Sequence, residues 1–455
     1  MSSNRPSRAD FRALARLAVP VTLVQVGLMA MGVVDTMIVG RISAAALAGV
    51  AVGTVYVFAL GSLGMGLLMG LEPVMSQAVG ARDEDTFARA FQRGLVLAGV
   101  FGVLGGLTLY PIGPVLHAFG QSDEMVAVAV RYSHVQAPSM MAFNLFVLLR
   151  QSLQTRGLMR PIVITIVLAN VLNALLAWSF VFGHFGAPAM GVWGAGLATT
   201  IARWANVLLL LGLGWSELRR LFQWRADSLQ LKPILRLLAI GTPIAIGMQL
   251  EFGIFATVAL IMGRIGDVPV AAHQIAINIA SLTFMVPLGI SSAAAVLVGR
   301  AVGAGDAPSA RRASVVALVA GVGVMALSAI VLASIPSMLA RAYTPDPAVI
   351  ALASTLLPIA AVFQVFDGLQ VVSIGVLRGV GDTRTPLIVN LIGYWVLALP
   401  LGLWLAFRAG HGPQGLWWGL VVGLAVVGLV LVMRVRVRLW RSLARLQVEE
   451  LPTNG

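Results

Sequence analysis

The sequence predicts an all-α polytopic membrane protein of twelve transmembrane helices, in two six-helix lobes related by pseudo-two-fold symmetry along the membrane normal. Three observations predict it. The first is composition: of 455 residues, 59% are hydrophobic and only 11% charged, with a mean hydropathy of +0.92. A soluble domain carries about 25% charged residues, so a soluble chain is excluded. The second is that apolar runs recur from Leu14 to Val437 and leave no room for a large soluble domain. They are too long for the alternating ~10-residue strands of an outer-membrane barrel. The third is an internal repeat at one constant spacing, described below.

Hydropathy and loop punctuation place each span in turn. The first, near 15–39, follows a basic start, MSSNRPSRADFRALAR, with no small-residue cleavage site after its apolar run. That pattern reads as a retained cytoplasmic N-terminus, residues 1–14, and not as a removed signal peptide. The second span, 47–78, exceeds the ~20 residues a bilayer needs and is expected to tilt or to extend past the lipid. The third, 92–116, follows a basic loop. The fourth, 130–155, and the sixth, 191–215, hold the two arginines lying well inside spans, Arg150 and Arg203. The fifth, 161–183, carries Asn170 and Asn173. A basic cytoplasmic linker, 216–233, then separates the N-terminal lobe, 15–215, from the C-terminal lobe, 234–437. Spans seven to twelve lie near 234–262, 271–302, 312–337, 348–377, 385–408 and 413–437, and a cytoplasmic tail, 438–455, ends the chain.

The basic residues test this count. Twenty-four of the 31 Lys and Arg residues, Arg5 among them, fall on one side of the alternating spans and five on the other. Positive charge marks the cytoplasmic side, so both termini are placed there and the span number is even. The net charge of +13 is spread over short loops, which fits topology and argues against nucleic acid. The chain has no cysteine, which excludes disulfides and thiolate metal sites.

The two halves repeat each other. Pro20 pairs with Pro243, Gly40-Arg41-Ile42 with Gly263-Arg264-Ile265, Gly66 with Gly289, Ala78-Val79-Gly80-Ala81 with Ala301-Val302-Gly303-Ala304, and Asp83 with Asp306. The spacing is 223 residues throughout, with no gap. Six spans per repeat is an even number, so both halves share one orientation. Transporters built from such repeats place their sites near mid-membrane.

Against this apolar background three acids stand out: Glu251 in span seven, Asp367 in span ten and Asp35 toward the outer end of span one. An ionised carboxylate at that depth costs several kcal/mol unless it meets protein, water or a cation, so such groups mark ion or substrate paths. Asn170 and Asn173 are spaced to share one helix face and are able to hydrogen-bond an inward-pointing acid. Gln25, Gln249, Gln274 and Asn278 are polar groups on the spans, candidates for lining a substrate cavity, whose plain reading is interhelical hydrogen bonding. Phe252, Phe255 and Phe363, near the acids, are candidates for stacking on a cationic aromatic molecule. No spaced cluster of His, Cys, Asp and Glu calls for a structural metal, and Gly379-Val380-Gly381 lacks the lysine and flanking strand of a phosphate loop.

Several motifs carry a resemblance: PVTLVQVGLMAMGVVDTMIVGRI, EPVMSQAVGA, QLEFGIF, AAHQIAINI and FDGLQVVSIGVLRGVGDTRTP. With them the whole chain resembles the multidrug and toxic compound extrusion (MATE) transporters, in their NorM-like branch. The resemblance implies a secondary active antiporter, not an enzyme. It would sit in the bacterial inner (plasma) membrane and export cationic and amphipathic drugs and dyes against Na⁺ or H⁺, as a monomer and without a cofactor. It further implies cation coupling at Glu251 and Asp367 in the C-terminal lobe and at Asp35 in the N-terminal lobe, with Asn170 and Asn173 as its supporting polar groups. Where some relatives carry a Tyr one turn before the helix-ten Asp, this chain has Phe363, a ring face without a hydroxyl. The alternative within the same superfamily is a flippase for lipid-linked saccharides, which needs basic residues in its cavity. A membrane-embedded transferase would need a nucleophile or metal site at a membrane surface, and the sequence has none.

Overall fold

The computed structural model describes residues 6–441 and 443–448; Arg5 and residues 449–455 of the tail lie outside them. Among the described residues there are helices and turns and no strand. Eleven helices, counting kinked pairs as one, are long and apolar enough to cross a membrane. In chain order they begin with α1 (Arg8–Val39), α2 (Ala44–Leu68) continuing into α3 (Leu71–Gly80), and α4 (Glu84–Leu107). A short α5 (Ile112–Ala118) precedes α6 (Asp123–Val135) and α7 (Ala137–Thr155), which are followed by α8 (Met159–Phe182) and α9 (Val192–Leu218). The second half holds α10 (Leu231–Ile265), α11 (Asp267–Gly303), α12 (Ala307–Ser334), the short α13 (Pro336–Arg341) and α14 (Pro347–Gly379). The last two are α15 (Arg384–Arg408), which contains π-helical turns over Leu391–Ala398 and Trp404–Arg408, and α16 (Gly412–Trp440).

The twelfth span is α7 with the helix before it, and it fails the apolarity test for a visible reason. Its inward positions are Gln136, Ser139, Asn144, Arg150, Gln151 and Gln154, all buried. α7 packs against α4 and α9 on its two sides, so it is shielded from lipid and its polar groups meet protein. The chain pauses at Gln136, where Ala137-Pro138 restarts the helix; a proline in a first turn donates no hydrogen bond and needs none.

The helix starts are set by the repeat. Asp83 accepts from the Thr86 amide at 2.9 Å and Asp306 from the Ser309 amide at 3.0 Å, the same cap one repeat apart. Ser309 also holds the Asp306 carboxyl below the usual carboxylate range by donating to it through hydroxyl and amide. Between the halves, the linker is docked rather than loose. The buried Gln92 on α4 donates to the carbonyls of Leu221 and Gln223 at 2.9 and 2.7 Å. It accepts from the Arg225 amide and the Ser228 hydroxyl.

The helices form two compact units. The first gathers the chain up to Thr22, Ser76–Arg82 and Ile246–Gln447; the second gathers Leu23–Met75, Asp83–Ala245 and the chain from Val448. The divisions inside α1 and α10 fall after Thr22 and after Ala245, again 223 residues apart and two residues past Pro20 and Pro243. Each proline removes a hydrogen bond from its helix and frees a carbonyl one turn earlier. The first stretch of α1 is therefore grouped with α11 to α16, and the first stretch of α10 with α2, α4 and α7 to α9. The boundaries 15–215 and 234–437 describe the sequence repeats; as domain limits they remain a proposal.

This grouping explains a repeated glycine pair. In the second unit a side chain at Gly66 would stand 2.5 Å from the Ala245 Cα; in the first, one at Gly289 would run into Thr22 and lie 3.1 Å from the Ala18 carbonyl oxygen. Only hydrogen fits where the half-helices lean on α2 and α11. Gly66→Val or Gly289→Val is expected to lower the thermal unfolding midpoint of the detergent-purified protein. The loss corresponds to roughly 1–3 kcal/mol of overpacking. Gly99 has open space around it, so Gly99→Ala serves as the neutral control.

Candidate functional site

The first unit holds two of the three acids. Glu251 lies on α10 eight residues beyond Pro243, about two turns along the helix. Asp367 is buried on α14. Glu251 is half-buried; its charge acts on Asp367, and both acids act on Tyr394 of α15. Among the described residues neither carboxyl has an ion pair or a hydrogen bond. In the same unit Ile254, Val258, Leu356, Ala360 and Tyr394 belong to one buried cluster.

Tyr394 was not picked out by sequence. Its ring is fully buried, and its hydroxyl donates to Gln370 Oε1 at 2.8 Å, while Gln370 donates to Asn390 Oδ1 at 3.4 Å. The adjacent Trp395 donates its indole N–H to the Leu250 carbonyl at 3.2 Å and lies 3.2 Å from where a side chain on Gly253 would begin. Both residues belong to the π-helical turn Leu391–Ala398, whose wider winding places consecutive side chains off the usual 3.6-residue stripe. A hydroxyl on α15, engaged by Gln370, thus stands within electrostatic range of the acids, whereas Phe363 brings none from α14.

Phe363 itself is closed in. Its ring meets Phe255 edge-on at 6.0 Å and Trp417 at 5.8 Å, and Trp417 in turn meets His273 at 5.7 Å. Phe363 is 2% exposed, so both neighbours use its surface. Phe252 and Gln249 are half-buried on α10. Gln274 and Asn278 lie on an exposed strip of α11 and share a 3.4 Å hydrogen bond.

The second unit holds Asp35, and its setting differs. The buried carboxyl accepts from Thr199 Oγ1 at 2.6 Å, and Arg203, one turn further along α9, acts on its charge. Arg203 donates to Ser139 Oγ at 2.8 Å and stands 5.5 Å from the centre of the Phe143 ring. Asn173 stands beside Asp35 without a hydrogen bond of normal geometry, whereas Asn170 donates to the Ile166 carbonyl of its own helix at 2.8 Å. Arg150 donates to Gln25 Oε1 at 2.9 Å, which occupies that glutamine. The structure therefore gathers Glu251, Asp367 and Tyr394 in one unit and Asp35, Asn173, Thr199 and Arg203 in the other. Thr199 sits in a Thr-Thr pair that gave no sequence signal, because either hydroxyl is able to satisfy itself on its own helix.

Comparison with known proteins adds the following. The MatE family pattern matches residues 20–179 and 243–404. The chain is 36% identical to the multidrug resistance protein NorM of Burkholderia vietnamiensis, with 92% of each chain covered. It is 39% identical to a probable NorM of Mesorhizobium japonicum over 94% of each. It is 35% identical to the multidrug resistance protein MdtK of Pectobacterium atrosepticum over 94% of this chain and 95% of that one. Among solved structures, its fold matches the eukaryotic MATE transporter AtDTX14 with a TM-score of 0.85 at 24% identity. It also matches an outward-facing multidrug resistance MATE family transporter with a TM-score of 0.86 at 21% identity. Each match covers 94% of this chain and 96% of the other.

The two settings predict opposite effects on stability. Asp35→Asn weakens the bond from Thr199 and leaves Arg203 with less compensating charge. Its thermal unfolding midpoint in detergent is expected to fall by the equivalent of about 1–3 kcal/mol. Glu251→Gln and Asp367→Asn relieve an uncompensated buried charge and are expected to leave the midpoint unchanged or higher. Equal losses at all three positions would contradict the division.

Proposed function

This chain belongs to the MatE family of membrane transporters, and on that premise we propose that it is a secondary active multidrug exporter, exchanging cationic and amphipathic drugs and dyes for Na⁺ or H⁺. The observation that carries the reading is the pair Glu251 and Asp367: a half-buried and a buried carboxyl within electrostatic reach, with no ion pair to either among the described residues. Such a pair is stable in an apolar setting only when a proton, a metal cation or a cationic substrate reduces its charge. Carboxylate and hydroxyl oxygens of Glu251, Asp367 and Tyr394 form a donor set suited to Na⁺ as well as to a shared proton. The names of the NorM and MdtK relatives support drugs as the cargo.

The cycle follows from competition. Open to the outside, the acids take the coupling ion and the drug leaves; open to the inside, the ion is released and a new drug binds. Coupling comes from the different affinities of the two states for ion and drug. Asp35 is assigned a supporting part, because Thr199 and Arg203 already satisfy much of its charge. We further propose a place in the bacterial inner membrane, supported by the apolar helices and the bacterial relatives, with both termini cytoplasmic, supported by the Lys and Arg distribution. The flippase reading needs cations beside the transport site. Arg150 and Arg203 both lie in the second unit, engaged by Gln25 and by Ser139, Phe143 and the charge of Asp35.

Purified protein in liposomes, given an imposed Na⁺ gradient or an imposed pH gradient, is expected to drive dye efflux under one of the two. Glu251→Gln and Asp367→Asn are each expected to abolish that efflux, and drug resistance in cells, with expression unchanged. Normal efflux by both variants would remove the assignment.

A further inference from the structure

The N-terminal stretch of α1 carries a feature that export does not use. Arg8, Arg12 and Arg16 recur every four residues, so they rise along one face of the helix. All three are exposed, and among the described residues none has an ion-pair or hydrogen-bond partner. The opposite face is the packed one: Leu14, Leu17, Ala18 and Val21 are buried there, and Asp10 pairs with Arg312 at 3.7 Å. Arg12 and Arg16, with Ala15, Val19 and Pro20, border a shallow groove open on the helix surface. Beyond the groove the same face turns apolar and stays exposed at Val19, Leu23, Val26, Val33 and Met37. From Arg16 to Val39 the helix spans about 35 Å, so the arginines stand where an apolar, lipid-facing stripe gives way to polar surroundings.

The repeat supplies an internal control. The positions 223 residues on from Arg8, Arg12 and Arg16 are Leu231, Leu235 and Ala239 on α10, all exposed. Pro20 and Pro243 match across the same spacing. The fold thus keeps the proline in both repeats and builds the other helix without the arginine face. The basic residues that α10 does carry are used differently, Arg236 donating to the Val448 carbonyl at 2.9 Å.

We propose that this groove is a binding site for an anionic glycerophospholipid of the cytoplasmic leaflet. Its phosphodiester headgroup is held by Arg12 and Arg16, with Arg8 adding charge, and its acyl chain runs along Val19 and Pro20. Guanidinium groups pair with phosphate in a fixed, two-pronged geometry that a zwitterionic headgroup opposes with its own ammonium. The site lies beside the point where α1 passes from one compact unit to the other, so an occupied groove would stiffen the helix next to Pro20.

The test uses the full chain in detergent and follows two readouts. One is the lipid retained by mass spectrometry of the intact protein; the other is the thermal unfolding midpoint, titrated with dioleoyl phosphatidylglycerol, dioleoyl phosphatidylethanolamine or inorganic phosphate. The variant Arg12→Leu/Arg16→Ala places the residues of the other repeat on α1, and the single changes Arg12→Gln and Arg16→Gln guard against misfolding of the double. Phosphatidylglycerol is expected to raise the wild-type midpoint saturably, and the double variant to bind it roughly thirty-fold more weakly, from about 1 kcal/mol per arginine. Phosphatidylethanolamine and phosphate are expected to do neither. An equal response of wild type and all variants to phosphatidylglycerol would overturn the site. An effect reproduced by inorganic phosphate alone would overturn the lipid as its occupant.

Discussion

A carboxylate in an apolar helix bundle is held in place by the surrounding packing but not stabilised by it. Glu251 and Asp367 are the clearest instance here: two acids in electrostatic reach, with no ion pair or hydrogen bond to either carboxyl among the described residues. Ordinary structural selection removes such a pair or gives it an arginine. On the proposed function, it stands because a positive species comes and goes. The polar groups around the acids serve this condition. Tyr394, anchored by Gln370, presents an oxygen without a charge, and Trp395 ties α15 to the Leu250 carbonyl one residue before Glu251. A fixed cation would have satisfied the acids and ended their usefulness.

The second unit shows the alternative solution on a related scaffold. Asp35 also lies buried in a span, but Thr199 donates to it and Arg203 sits one turn away. The charge is largely met by the protein itself, and what remains is one carboxylate oxygen without a hydrogen bond. One repeat therefore keeps its acids available while the other holds its acid nearly satisfied. The energetic distinction is that between a buried charge awaiting a partner and one already provided for.

Much of this was legible in the sequence. Composition and spacing gave the class, the span positions and the two repeats, because lipid imposes a length and an apolarity that no soluble context mimics. The three acids were legible for the same reason, as exceptions to a strict rule. What escaped was set by tertiary contacts. Phe363 reads as a free ring near an acid, yet Phe255 and Trp417 close over it. Asn170 and Asn173 share a face by spacing, yet only Asn173 stands by Asp35, since Asn170 turns back on Ile166. Tyr394 was invisible because a π-helical turn breaks the periodicity on which face assignments rest. The regrouping of α1 and α10 near Pro20 and Pro243 leaves no local mark beyond the prolines, which static kinks explain equally well.

The two repeats also separate what the fold requires from what the function adds. Features present at both ends of the 223-residue spacing are structural: the prolines, the Asp83 and Asp306 caps, and the Gly66 and Gly289 contacts with the half-helices. Each answers a demand of backbone geometry that both halves face alike. Features present once answer something else. Glu251 has no acidic counterpart, since the position 223 residues earlier is Leu28, and Arg12 and Arg16 have none on α10, where Leu235 and Ala239 stand. A duplicated scaffold loses a charged residue readily and keeps one in a membrane only against a steady energetic cost. Unmatched charge on a matched scaffold is therefore where we propose that ligands bind, in the interior for the ion and drug and at the lipid boundary for the arginine face.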